Sequence, residues 1–559
     1  MALRGVVADA NAALDRGEWK AAKAGFETAL GEEQTPEALD GLGQALWWLN
    51  NLHAGIELRE RAYAGYKALG MRAPAGRVAT WLGGEYFTVH GNLAAAGGWI
   101  QRADTLLADL APCAEQGWLL VMKAAMSMDP AAVQDLAAQA MALGRSLEDG
   151  DLEIVGLSAL GLGLVGEGRI ADGMARLDEA MAAATGGELS SLWAVSDVYC
   201  NTLLACERAG DFERAEQWCS VVMEFARRRA CQPMFPFCHV TFGSILTASG
   251  RWGEAEVELE LAVRTFDTGH RAMRVLALAR LAELRVRQGR IPEAEELLNG
   301  YEEHPLAVRA IARLSLALGD PVTAVSVLRR RLAQVGRNTL LAFPLLTLLT
   351  DAFLQQGDIG EAANAADQMA HLEKTSGQQL MGAEATMARA KVALAAGEPS
   401  AADGFDRAVA AFLSLELPWE AAQARLGLAR AAEASQPEMA RAEARLALAA
   451  FERLGAARLA DQAARLLRDL GAGTAPGPRS GGGLTSREAE VLELVGLGLS
   501  NAEIAERLFI SPRTVEHHVG SMLGKLTLKT RPQLVAHALR RPPPAVPPTA
   551  VPLPGSGQK

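Results

Sequence analysis

The chain has 559 residues and a formal charge of −11; half its residues are hydrophobic but only 5% are aromatic. That length accommodates several domains or one extended repeat array, and the abundance of alanine favours helices. No apolar run approaches the roughly 20 residues that cross a bilayer, and none of the six cysteines forms a C-x-x-C pair, which argues against a membrane span and a structural zinc site.

Met1-Ala2-Leu3-Arg4 leads directly into an amphipathic helix without the apolar core of a signal peptide, so a cytoplasmic protein is expected. A repeated pattern follows. Gly17-Glu18-Trp19 is followed by Ala22, Phe26 and Ala29; Gly91-Asn92-Leu93 by Ala96, Ile100 and Ala103; Gly250-Arg251-Trp252 by Ala255, Leu259 and Ala262. Weaker copies start at Asn50, Met128, Gly168, Gly210, Gly289, Gly319, Gly357, Gly397 and near Ser435, so successive starts lie 30 to 42 residues apart.

The template has a physical reading. Glycine ends one helix in a tight turn. The large residue two places later plugs the gap between that helix and the next, and the alanines let the second helix approach its neighbour. Such hairpins cannot bury their own faces and must stack. The pattern G-x-[WLI]-x-x-A-x-x-x-[FLI]-x-x-A resembles the tetratricopeptide repeat, which implies an all-α fold: an α-solenoid of degenerate helical hairpins over 1–470.

Cys200, Cys206, Cys219, Cys231 and Cys238 are close in sequence and Cys113 stands apart; without zinc spacing they read as buried, reduced thiols. Gly161, Gly163 and Gly166 match G-x-G-x-x-G, but the pattern sits at the end of a repeat helix with no βαβ unit around it, so no dinucleotide site is expected. No Walker motif, cofactor site, metal cluster or catalytic constellation emerges, and the chain does not read as an enzyme.

From 471 to 483, thirteen residues of glycine, proline and small polar types form a flexible linker. The segment 484–541 then reads as four short helices. Thr485 with Glu488, Ser500 with Glu503, and Thr530 with Gln533 are capping boxes, and Ser511-Pro512 is an N-cap followed by proline. The second helix ends near Leu508, Phe509-Ile510 turn, and Ser511 opens the third: a helix-turn-helix. Its expected core includes Ile504, Ala505, Leu508, Ile510, Val515 and Val519. Between 507 and 541 seven Lys or Arg face one acid, a net +6 on an acidic chain, the footprint of phosphate binding. The tail 542–559 holds seven prolines in eighteen residues and is expected to be disordered or polyproline-like.

The run L-T-x-R-E-x-E-V-L from Leu484, then G-x-S-N-x-E-I-A-x-x-L-x-I-S-x-x-T-V-x-x-H from Gly498 to His518, resembles the LuxR/NarL/FixJ-type DNA-binding domain of bacterial transcription regulators. The resemblance implies that the third helix reads DNA and the fourth forms a dimer contact. Thr514, Glu516, His517 and Gly520 become the reading residues, Arg513 and Lys525 lie near phosphates, and Ser511 and Arg531 complete the DNA-binding set. Glu516 and Gly520 depart from the family: many members carry Lys at the first and a polar or basic residue at the second. Gly520 and Gly524 also weaken a helix, each by about 1 kcal/mol relative to alanine.

These features together predict a transcriptional regulator that binds double-stranded promoter DNA as a homodimer on half-sites about one helical turn apart. RNA polymerase is an expected partner, and the repeats are expected to take a protein or small-molecule effector. The competing class is a protein-interaction scaffold whose helix-turn-helix serves docking or dimerisation.

Overall fold

The computed structural model describes residues 2–229, 235–337, 339–471 and 486–508, together with 515–516, 519–520, 522–523, 526, 528 and 530–539. The linker and the proline-rich tail, and with them those two expectations, lie outside the described residues apart from Gly471. The described chain is helical, with no strand among the described residues, and divides into two units, Met1–Leu466 and Leu467–Lys559.

The larger unit begins with four hairpins: α1 (Ala2–Asp15) with α2 (Trp19–Glu32), α3 (Pro36–Trp48) with α4 (Leu52–Ala68), α5 (Arg72–Thr88) with α6 (Leu93–Leu107), and α7 (Ala114–Met126) with α8 (Pro130–Leu147). Four more follow: α9 (Gly150–Glu167) with α10 (Ile170–Gly186), α11 (Leu192–Ala209) with α12 (Phe212–Arg228), α13 (Phe235–Ala248) with α14 (Trp252–Thr268), and α15 (Arg274–Gln288) with α16 (Ile291–Leu298). The last four are α17 (Val308–Leu318) with α18 (Pro321–Val335), α19 (Phe343–Gln356) with α20 (Ile359–Ser376), α21 (Gln379–Ala395) with α22 (Ala401–Ser414), and α23 (Pro418–Ala432) with α24 (Pro437–Leu454). Helix α25 (Ala457–Asp469) follows the twelfth hairpin. Odd-numbered helices also pack on one another from hairpin to hairpin, α5 on α7 through α21 on α23, and so form the inner layer.

The turns explain why the sequence folds this way. Gly210, Gly319 and Gly357 each end an inner helix at positive φ, 67°, 81° and 77°, and each is followed by aspartate. Asp211, Asp320 and Asp358 then accept from the backbone amides of Arg214, Thr323 and Glu361, so a Gly-Asp pair closes one helix and caps the next. Asn50 takes the same left-handed turn at φ 60° without being glycine. The template residues Trp19, Ala22, Phe26, Ala29, Trp252, Ala255, Leu259 and Ala262 are all buried; full burial of one large apolar side chain contributes about 1.5–3 kcal/mol. The third copy departs: Leu93 is 64% exposed. Its Ile100 keeps the template contact all the same: Cδ1 lies 2.7 Å from where a Cβ on Gly83 would stand, as Phe26 and Leu259 crowd Gly41 and Gly243.

The stack winds with a period of five hairpins. The turn between α1 and α2 meets Leu192 of α11, and the turn after α5 meets Ala272 just before α15. The turn between α11 and α12 meets Leu380 of α21, and the turn between α13 and α14 meets Pro418 of α23. Aromatic side chains join the first two turns of the superhelix: Trp193 of α11 lies 4.1 Å from Trp47 of α3 and 4.4 Å from Trp81 of α5, ring centre to ring centre.

Two expectations need adjustment. Cys206, Cys219 and Cys238 are buried, with the first two thiols pushed up to about 12 by burial, but Cys113 is half-buried and Cys200 exposed. The Cys200 thiol is nevertheless pushed up to about 12, by desolvation and by the charge of Asp197. Cys231 lies outside the described residues. Gly161, Gly163 and Gly166 sit within α9 rather than at a phosphate loop. A Cβ on Gly161 would stand 2.7 Å from Leu177 of α10, and one on Gly163 2.9 Å from Gln134 of α8, so these glycines let three helices approach closely.

Candidate nucleic-acid interface

The smaller unit is built on α26 (Ser486–Gly496), α27 (Asn501–Leu508), helical turns at 515–516, 519–520 and 522–523, and α28 (Arg531–Leu539). Val491, Leu492 and Val495 of α26, Ile504 and Ala505 of α27, Val515, Val519 and Met522, and Leu534 of α28 form one core. Four of the six expected core residues, Ile504, Ala505, Val515 and Val519, are in it. The side chain of Leu508 and all of Ile510 lie outside the described residues.

The Ser500 box is complete. Ser500 Oγ accepts from the Glu503 amide at 3.3 Å and the Glu503 carboxylate accepts from the Ser500 amide at 2.7 Å. This bonding holds the Glu503 carboxyl below its usual range, and it fixes where α27 starts. Before it, Gly498 takes φ 82° to end α26. At Gly496 an added Cβ would lie 2.9 Å from Ala538 Cβ, so the first and last helices touch there.

The third helix shows its two faces through the described residues. Val515, Val519 and Met522 point into the core, whereas Glu516 and Gly520, one position further on, are exposed. A Cβ added to Gly520 would meet nothing within 4 Å, so packing in this chain does not require glycine there. Ser511, Arg513, Thr514, His517 and Lys525 lie outside the described residues.

Arg531 is placed differently from a free phosphate contact. Its guanidinium donates to Asn501 Oδ1 at 2.6 Å and to the Leu499 carbonyl at 2.7 Å, tying the start of α28 to the start of α27. Asn501 and Leu499 thus acquire a framing role that the sequence does not announce, because Asn501 reads there only as a residue of the capping box. Among the described residues no group of three or more His, Cys, Asp or Glu could hold a metal ion, and no helix is long and apolar enough to cross a membrane.

Residues 483–538 match the GerE family, bacterial regulatory proteins of the luxR family. A Mycobacterium tuberculosis protein that carries the name HTH-type transcriptional regulator, Rv0890c, is 52% identical over 63 residues, 11% of this chain and 7% of that protein. The oxygen regulatory protein NreC of Staphylococcus carnosus is 48% identical over 58 residues, 10% of this chain and 27% of NreC. The chain therefore spans only a small part of the length of either relative. Among solved structures, the APC/C hetero-tetramer Cut9-Hcn1 aligns over 81% of this chain and 95% of its own, at 13% identity and a TM-score of 0.46. A Rap protein complexed with competence and sporulation factor aligns over 74% and 98%, at 13% identity and a TM-score of 0.34. With its capping box, its shared core and this match, the C-terminal segment of the chain is a helix-turn-helix domain of the luxR family.

Proposed function

We infer that the protein is a sequence-specific DNA-binding transcriptional regulator: its helix-turn-helix binds promoter DNA and its helical repeats receive the signal. The observation that carries this reading is the two-faced third helix inside a luxR-family segment, with Val515 and Val519 committed to the core and Glu516 and Gly520 open to solvent. A helix anchored on one side in this way can enter a major groove with the other.

In this reading Thr514 and His517 touch base edges and Glu516 accepts from a cytosine amino group. Gly520 lets the groove edge approach, and Ser511, Arg513 and Lys525 bind the phosphate backbone. Arg531 contributes by holding α27 and α28 in register. A dimer on two half-sites doubles the contact, RNA polymerase is the downstream partner, and the protein works in the cytoplasm.

The test is fluorescence anisotropy of the full chain on duplexes selected from genomic fragments and on random duplexes. Affinity is expected to fall by about 10³ or more between 50 and 200 mM salt for about six phosphate contacts. Thr514→Ala and His517→Ala should change sequence preference, while Lys525→Ala should weaken binding to all duplexes alike. No affinity for any duplex at low salt overturns the reading in favour of a docking scaffold.

A further inference from the structure

The inner layer of the superhelix carries a charged constellation that DNA binding does not use. On α15, Arg280, Glu283 and Arg287 share a face at three- and four-residue spacing. Glu283 lies 3.3 Å from Arg309 and 3.6 Å from Arg313, both of α17, and 3.6 Å from Arg280. Arg280 also pairs with Glu207 of α11. Arg287 reaches Glu420 of α23 at 3.6 Å, with its guanidinium 5.7 Å from the Trp419 ring centre. Between these, Thr347 of α19 donates to Glu384 of α21 at 3.2 Å. Glu384 in turn lies in the fields of Glu420, Arg313 and Arg309. These contacts link α15 to α17 and to α23, and α19 to α21.

The charges in this ring are segregated. The α15–α17 arc holds four guanidiniums, whose carboxylate neighbours are Glu283 and Glu207. The α21–α23 arc holds Glu384 and Glu420, whose link to a cation is the long Arg287 pair. Of nine buried side-chain nitrogen or oxygen atoms without a hydrogen-bond partner among the described residues, five belong to this ring: Arg287 Nε and Nη1, Arg309 Nε, Arg313 Nε and Glu420 Oε2. Arg313 Nε has Glu283 Oε2 at 3.6 Å, beyond hydrogen-bond reach; the other unpaired donors on one arc and the unpaired acceptor on the other suit a partner that carries both kinds of group. The ring is also open to water, since Arg280, Arg309 and Arg313 keep 25%, 33% and 27% of their side-chain surface exposed. A device that served only stability would gain little from such charges, because well-packed apolar residues commonly replace buried ion pairs without loss.

We propose that this ring binds a small zwitterion of the amino-acid class, its carboxylate on the guanidiniums of Arg309 and Arg313 and its ammonium between Glu384 and Glu420. The planar guanidinium fork suits a carboxylate. Two carboxylates near enough that the charge of Glu420 raises the Glu384 carboxyl suit an ammonium, and a net-neutral ligand leaves the charge of the ring unchanged. The inference rests on the reading of the repeats as the signal-receiving module.

Isothermal calorimetry and thermal melting of the full chain, in the absence of DNA, test it with the twenty L-amino acids presented singly. At least one is expected to bind and to raise the melting temperature, while its N-acetyl and its amide derivatives, each lacking one charge, bind at least tenfold more weakly. Glu384→Gln and Arg309→Lys should each weaken binding at least tenfold with helicity retained, and Arg176→Gln on the outer α10 should not. Should the ring variants lose helicity, phenylglyoxal modification of the unaltered chain replaces them: the bound amino acid should protect Arg309 and Arg313. Binding by none of the twenty, equal binding of the N-acetyl derivative, or no protection overturns the proposal. Anisotropy on DNA with the same sample separates the two readings: DNA binding without amino-acid binding sinks only the zwitterion site, and the converse sinks only the DNA reading.

Discussion

Arg531 and Asn501 are joined by a 2.6 Å hydrogen bond that spans thirty residues and clamps the last helix of the luxR-family segment to the first turn of its second. The same guanidinium holds the Leu499 carbonyl. A cation in a basic segment is here consumed by the frame of the domain, and this gives it a consequence that differs from that of a phosphate contact. Arg531→Ala is expected to destabilise the C-terminal domain by about 2 kcal/mol, because hydrogen bonds to a charged group are lost and a carbonyl is left short of its donor. Arg507→Ala, on an exposed cation, should cost less than about 0.5 kcal/mol. Urea titration of the C-terminal transition checks the contrast; equal losses would return Arg531 to the surface.

Two glycines that look alike in sequence should respond differently to alanine. Gly210 and Gly319 both stand at positive φ, but a Cβ on Gly210 would lie 2.4 Å from Leu380 Cδ2, and one on Gly319 would meet nothing within 4 Å. Gly319→Ala should cost about 1 kcal/mol, the backbone term alone. Gly210→Ala also makes Leu380 turn its Cδ2 methyl aside and should cost about 1.5–2.5 kcal/mol. Denaturant midpoints of the repeat region measure both.

Trp193 stands between Trp47 and Trp81, across the seam of the first superhelical turn. Trp193 is half-buried, so truncation to alanine should remove about 2–3 kcal/mol, less than for a fully buried aromatic. The loss should be concentrated at α3, α5 and α11, where hydrogen–deuterium exchange is expected to rise first. Unchanged protection in α3 and α5 would show that the seam is held elsewhere.

Two buried carboxylates should make stability depend on pH in opposite senses. At Glu85, beside Arg59, burial outweighs the cation and pushes the carboxyl up from 4.5 to about 7. The folded chain then holds a proton there that the unfolded chain has lost, so this residue's contribution falls as pH rises from about 4.5 through 7. At Glu283 burial pushes upward too, but Arg309, Arg280 and Arg313 prevail and hold the carboxyl down to about 2. Its contribution is complete above about 4.5 and is lost as pH falls toward 2. Glu85→Gln should flatten the pH dependence of the melting temperature between pH 5 and 7, and Glu283→Gln the dependence below pH 4, with the other window unchanged in each case.

Glu516 is exposed on the outward side of the third helix. Glu516→Lys is expected to tighten binding to random duplexes and to steepen the salt dependence by about one phosphate contact. A slope and a random-duplex affinity that both stay unchanged would place position 516 outside the bound duplex.

Local chemistry was legible in the sequence because it is written within a few residues. The Ser500–Glu503 box, the glycine turns at 17, 210, 319 and 357, and the alternation of Trp252, Ala255, Leu259 and Ala262 each specify a helix end or a helix face within one or two turns of chain. Those signals together determined the all-α class, the stack of hairpins and the luxR-family segment. Only the tertiary structure decided which hairpins meet. The five-hairpin period accumulates from small rotations at each repeat, and no single copy encodes it. That winding brings Gly210 to Leu380 five hairpins on, and Trp47 to Trp193 and Arg287 to Glu420 four hairpins on. It also leaves Arg287 of α15 as the guanidinium that pairs with a carboxylate of α23. Charge read along the chain likewise cannot distinguish an arginine that faces a phosphate from one that, like Arg531, satisfies a carbonyl of its own fold, because the difference lies in where a distant backbone oxygen ends up.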